Sequence, residues 1–316
     1  MVKEQGIGTS HAKIILMGEH SVVYGQPAIA LPLPSVKLTV TLTPADQGQT
    51  VTSRYFTGDW HDLPPVMAGV GKLIATLVTR FNGQDDHWEL TIDSQLPAER
   101  GMGSSAATAV AIVRAFFDYY EQPLSRDTLL ALADVEEQIT HRSPSGLDAA
   151  TVSAKTPLYY VKGQAGTPIP MNLQATMVIA DTGVKGATKE AIMAVQDLLQ
   201  DDHDRAQGHI EHLGKLVNVS RQLLAAGEVF KLGTTLNAAQ QDLVALRVSD
   251  DQLDHLIDVA THNGALGAKL TGGGRGGCMF AITRTALGAR KLAGILKDNG
   301  ARKTWIQPLD TTRGDN

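Results

Sequence analysis

The segment Leu96-Pro97-Ala98-Glu99-Arg100-Gly101-Met102-Gly103-Ser104-Ser105-Ala106-Ala107 constrains the chain more than any other. Gly101 and Gly103 permit tight turns and clear side chains from a ligand's path. Two hydroxyls follow, then an Ala-rich helical run from Ser105 to about Tyr120. A helix that starts in this way turns free N–H groups outward, where they attract phosphate oxygens. Ser105 can then offer its hydroxyl to a cation bridging those phosphates. A plain glycine helix cap stays open as the alternative on this segment alone.

Two better-known phosphate motifs do not fit. Gly101-x-Gly103-x-x-Ala106 matches a dinucleotide fingerprint, but a polar Leu-Pro-Ala-Glu-Arg connector stands where a strand should enter the turn. Gly71-Lys72 is followed by Leu73 and lacks the earlier glycine of a Walker loop.

Two further segments carry the same kind of signal. Lys13-Ile-Ile-Leu-Met leads into Gly18-Glu19-His20-Ser21-Val-Val-Tyr24-Gly25, which sets a Glu-His pair on a turn between two apolar runs. Lys269-Leu-Thr-Gly272-Gly273-Gly274-Arg275-Gly276-Gly277-Cys278 has five glycines in six positions from 272 to 277, which neither a helix nor a regular strand tolerates. That run marks a backbone held close to a ligand or to a neighbouring domain.

At 316 residues the chain is about twice the common domain size, so two domains are expected. Lys plus Arg number 28 against 33 Asp plus Glu, and this deficit of positive charge argues against a general nucleic-acid binder. The single cysteine, Cys278, excludes an intrachain disulfide and favours a reducing compartment; it reads as part of a buried strand. No signal core and no membrane-length apolar run are seen, so a soluble cytoplasmic protein is expected.

Val36-Lys-Leu-Thr-Val-Thr-Leu and Trp88-Glu-Leu-Thr-Ile-Asp alternate as half-buried strands, with helical spacing over 65–81 between them. Pro27-Ala-Ile-Ala-Leu-Pro-Leu is a separate apolar run. Helices are expected over 126–141, over a long tract from Thr188 to about Ala260 interrupted near Asp201-Asp202 and Gly227, and over 285–299. Met177 to Asp181, Cys278 to Thr283 and Thr304 to Leu309 read as strands, giving an α+β chain with domains over 1–174 and 175–316. His203, His209 and His212 crowd one charged stretch without a completed ligand set and read as a solvated helix face. The Met and Leu positions of 188–260 read as core, with a homodimer face as the alternative.

Taken together and in this order, the three glycine-bearing segments resemble the three motifs of the small-molecule kinases named after galactokinase, homoserine kinase, mevalonate kinase and phosphomevalonate kinase, the GHMP kinases. The middle segment departs from that pattern only in Met102, which stands for a Leu of similar volume. Lys13 to Gly25 looks most like the mevalonate-phosphorylating branch, and the Arg-x-Asn of the galactose branch is missing. Ser10-His11-Ala12 stands where many relatives have Ala-Pro-Gly. His141-Arg-Ser-Pro144-Ser145-Gly146-Leu-Asp148 is similar to a fourth stretch of that branch, with Arg142-Ser143 as its departure.

The resemblance implies a two-domain fold, an N-terminal ribosomal-protein-like domain and a ferredoxin-like C-terminal domain, with the active site between them. It implies that Pro97, Glu99, Arg100, Gly101, Met102, Gly103, Ser104, Ser105, Ala106 and Ala107 hold ATP. Ser105 and Glu137 are then the Mg2+ ligands, Asp148 and Lys13 the catalytic residues, and Gly272, Gly273 and Gly274 a brace for the phosphate loop. Glu19, His20 and Thr182 are the candidates for contacting the acceptor, for which the 5-hydroxyl of mevalonate is expected. Sibling kinases for phosphomevalonate, homoserine or a sugar are the near alternatives. A decarboxylase of the same fold is another, and a catalytically inactive binding protein is the alternative from a different class.

Overall fold

Val36, Leu38, Val40 and Leu42 are buried while Lys37 is exposed and Thr39 and Thr41 are partly so, the period of two that a strand covered on one face imposes. The computed structural model describes residues 2–140 and 146–309. Contacts divide the chain into two units, the first made of Met1–Ala12, Val36–Ala98 and Gly103–Ser153, the second of Lys13–Ser35, Glu99–Met102 and Ala154–Asn316. The sequence expectation of a division between 174 and 175 stands beside these bounds. The strands β1 (Gly6–Met17) and β2 (Ala28–Pro44), which pair with each other, contribute residues to both units.

In the first unit the later half of β2 is joined by β3 (Gln49–Thr52), β4 (Thr57–Asp59), α1 (Ala68–Phe81), β5 (Trp88–Ser94), α2 (Ser104–Tyr119), α3 (Arg126–Thr140) and α4 (Leu147–Val152). β2 runs antiparallel to β5, with Leu38 opposite Ser94 and Pro44 opposite Trp88. β3 runs parallel to β5 and antiparallel to β4. α2 is apolar on nearly every side, from Ala107 through Ile112 to Phe116, so it is buried on nearly every side. Gly8 of β1 lets it lie close, since a Cβ there would fall 1.9 Å from the Ala111 carbonyl oxygen.

In the second unit come β6 (Leu158–Tyr160), β7 (Thr167–Pro168), β8 (Thr176–Asp181), α5 (Thr188–Asp201), α6 (His203–Ala226), α7 (Val229–Ala245), α8 (Asp251–His262), β9 (Gly267–Thr271), β10 (Cys278–Thr283), α9 (Ala286–Asp298) and β11 (Lys303–Pro308). The sheet order is β11-β8-β10-β9, antiparallel throughout, and places Phe280 between Ile179 and Lys269. Every residue of β10 is buried, Cys278 included, and burial pushes the Cys278 thiol well above its ordinary value. α7 and α8 pack on β9, and α9 on β8 and β11.

The expected breaks at Asp201-Asp202 and Gly227 separate α5, α6 and α7. A further break, not expected, divides α7 from α8. There Arg247 takes a positive φ of 61° without being glycine, and the Asp250 side chain caps α8 by accepting from the Leu253 N–H at 2.9 Å. His203 and His212 are exposed, as the expected solvated face requires, while His209 is only partly so; the Nδ1 atoms of His209 and His212 also lie 2.8 and 2.7 Å from the two carboxylate oxygens of buried Asp242 on α7. Among the described residues no helix is long and apolar enough to cross a membrane.

Candidate active site

The segment expected to cradle phosphate passes through both units: Pro97 belongs to the first, Glu99 to Met102 to the second, and Gly103 onward to the first again. Glu99, Gly101 and Gly103 all have positive φ, and Gly103, at 72°, is the residue from which α2 starts. The helix opens with no side-chain cap, and its first residues are Ser104 and Ser105. The first-turn N–H groups of a 16-residue helix are thereby left to a ligand or to water.

Within the first unit, the Ser105 hydroxyl donates to the carboxylate of Glu136 on α3. Glu136 and its neighbour Glu137 are both buried. Asp148 lies in the first turn of α4, partly exposed, after Gly146 in a left-handed conformation. The stretch His141 to Ser145, which completes the fourth resemblance, lies outside the described residues. One hydroxyl and carboxylates, all oxygen donors, suit a hard cation such as Mg2+ that keeps most of its waters. Among the described residues no group of three or more His, Cys, Asp or Glu side chains is arranged to enclose a metal.

Within the second unit, Lys13 is buried on β1, and its backbone N–H donates to the Met102 carbonyl at 3.0 Å. The turn after β1 is built on Gly18 and on His20, whose φ is 58°. Glu19 is buried, and its Oε1 accepts from Nζ of Lys269 on β9. No protein donor among the described residues reaches Glu19 Oε2. Burial drives the Glu19 carboxyl up, opposed by Lys269 and by the more distant charge of Lys13. Burial drives Lys269 down, opposed by the charge of Glu19 and the hydrogen bond to it.

Nε2 of His20 lies 2.9 Å from the Gly273 carbonyl oxygen. A carbonyl only accepts, so Nε2 carries the proton and Nδ1 is left as an acceptor. Burial lowers the imidazole to about 4, partly offset by that hydrogen bond. His20 is thus neutral near pH 7.

The glycine run meets the phosphate segment closely. A Cβ on Gly101 would stand 3.2 Å from Gly272 Cα, and both residues have positive φ. Arg100, not singled out by the sequence beyond its place in the motif, is held by Nε to Asp181 Oδ1 at 2.9 Å and by Nη2 to the Gly183 carbonyl at 3.1 Å. Thr182 donates its hydroxyl to the Gly277 carbonyl at 2.8 Å and accepts from the Val184 N–H at 3.2 Å. Lys185 pairs with Glu99 at 2.7 Å. Sequence reasoning gave Lys269 no role, although it heads the glycine segment.

Residues 70–155 match the family described as GHMP kinases N terminal domain, and residues 206–302 match GHMP kinases C terminal. The mevalonate kinase of Pyrococcus horikoshii is 31% identical over 314 residues, covering 91% of this chain and 92% of that protein. The crystal structure of mevalonate kinase from methicillin-resistant Staphylococcus aureus is 31% identical with a TM-score of 0.77, covering 97% of this chain and 99% of that one. The L. major mevalonate kinase, crystallised with R-mevalonate, shares 24% identity at a TM-score of 0.82 over 98% of this chain and 100% of that one, a likeness of fold.

Proposed function

The chain belongs to the GHMP kinase family, and on that premise we propose that it transfers the terminal phosphoryl group of ATP to the 5-hydroxyl of mevalonate. The observation that carries the substrate is the identity of 31% over 91% of the chain to a curated mevalonate kinase. The Glu19 turn supports it, because Oε2 is a buried acceptor that a substrate hydroxyl would satisfy.

Phosphoryl transfer asks a protein mainly for position and charge. The opening N–H groups of α2 and the turns at Gly101 and Gly103 are assigned to the phosphates. The acceptor oxygen attacks the terminal phosphorus, the bond to the bridging oxygen breaks, and ADP leaves with that electron pair. Asp148 is assigned the proton of the attacking hydroxyl, and Lys13 the stabilisation of charge on the moving phosphoryl group. Ser105 and Glu137 would hold Mg2+, which would neutralise charge on the phosphate oxygens. Glu19, the Nδ1 of His20 and Thr182 are assigned to the acceptor's polar groups. Gly272, Gly273 and Gly274 brace the phosphate segment.

Cytoplasmic residence and a homodimer belong to the same proposal. A light-scattering mass tests the dimer.

The test of function is an ADP-release assay with ATP, Mg2+ and, separately, mevalonate, phosphomevalonate, homoserine and galactose. Turnover with mevalonate alone is expected, falling about 10³-fold in Asp148→Asn with ATP still bound. Turnover with another member overturns the substrate. Near-normal turnover in Asp148→Asn overturns the assignment of Asp148.

A further inference from the structure

Lys269 is fully buried in a strand whose five residues are all buried, an unusual setting for an ammonium group. Its Nζ donates to Glu19 Oε1 and, at 2.6 Å, to the carbonyl of Leu270, and it lies 5.3 Å from the Phe280 ring centroid. A buried ion pair seldom adds to stability over an apolar pair of the same volume, so its presence asks for another reason.

The geometry around it supplies one. Two residues after Lys269, the Thr271 hydroxyl donates to the Ile15 carbonyl at 2.9 Å and accepts from the Ile15 N–H at 3.0 Å. Two residues further on, the Gly273 carbonyl accepts from His20. From Lys269 to Gly273, then, every second residue grips the segment that runs from Ile15 to His20. Lys269 is the grip that acts on a carboxylate: it engages one oxygen of Glu19, and no protein donor among the described residues reaches the other, Oε2.

We propose that Lys269 is a positioning residue for the phosphoryl acceptor, clamping Glu19 by Oε1 so that Oε2 and the neighbouring His20 ring face a substrate hydroxyl in fixed register. The clamp rests on the reading of Glu19 as an acceptor-binding group, and it names what holds that group in place. It requires Lys269 to act through Glu19 and not on ATP.

The test uses steady-state kinetics of the full chain with whichever acceptor the parent protein phosphorylates, so a wrong substrate and a wrong clamp are told apart. Lys269→Met keeps length and removes the charge. Its KM for the acceptor is expected to rise about tenfold or more, as for a displaced positioning group, with KM for ATP within about twofold. Should that variant not fold, the double variant Lys269→Met with Glu19→Gln removes both charges together and replaces the ion pair by a neutral one. Its acceptor KM is expected to match that of Glu19→Gln alone, because the two residues act as a unit. An unchanged acceptor KM in Lys269→Met overturns the proposal. So does an equal loss toward both substrates, or a further rise in acceptor KM from Glu19→Gln to the double variant.

Discussion

The hydroxyl of Ser105 donates to the carboxylate of Glu136, the residue that directly precedes Glu137 on α3. Family likeness assigns the cation to Glu137, whereas the hydrogen bond goes to its neighbour. Glu137→Gln is expected to lower kcat about 100-fold and to raise the Mg2+ concentration needed for half-maximal rate, as loss of a ligand does. Glu136→Gln keeps an acceptor for the hydroxyl and is expected to lower kcat by less than about tenfold. Magnesium titrations of both variants check this; the reverse order would hand the metal to Glu136.

A Cβ on Gly101 would stand 3.2 Å from Gly272 Cα, close enough that the neighbour must shift, and the φ of 75° at Gly101 strains any other residue. Gly101→Ala is expected to lower unfolding free energy by about 1–3 kcal/mol. It is also expected to raise KM for ATP more than KM for the acceptor. Urea titration and initial rates are the measurements, and normal values in both would show that the close approach is dispensable.

His20 gives a pH dependence of known sign. Unfolded, its imidazole titrates near 6.5; folded, at about 4. Between those values the unfolded chain binds more protons, so the contribution is complete above 6.5 and is lost as pH falls toward 4. The shift corresponds to about 3 kcal/mol at most. Between pH 7 and 4.5, His20→Asn is expected to lose about 2–3 kcal/mol less stability than the parent chain. Asn is chosen because it tolerates the positive φ of this turn. Parallel pH slopes for the two proteins in urea titrations would contradict the assignment.

Strand and helix periods were legible wherever one face meets the core, as at Val36 to Leu42 and through α1. Pro27 to Leu33 and Val36 to Leu42 read as two runs, but from Ala28 onward they form one strand, β2; its pairings to β6 and β5 lie on either side of Pro32 and Pro34. The α7–α8 break escaped because neither glycine nor proline marks it, although Ser249-Asp250 ahead of an apolar helix was an available capping signal. Motif positions in the candidate site were readable from spacing and likeness. Their partners were not, because a hydrogen bond such as Lys269 to Glu19 joins residues 250 positions apart. Nor does spacing say which of two adjacent glutamates a serine will choose.

Cys278 is sealed inside β10, with its thiol well above the ordinary range. Maleimides and other thiolate-seeking reagents need an accessible, ionised sulfur, and this one is neither. A second cysteine placed at an open position such as Val66, which is 82% exposed, would be the one that reacts. The native background is in this sense already prepared for attaching a single fluorophore or spin label, and the motions of the chain during turnover can be followed without first deleting a residue.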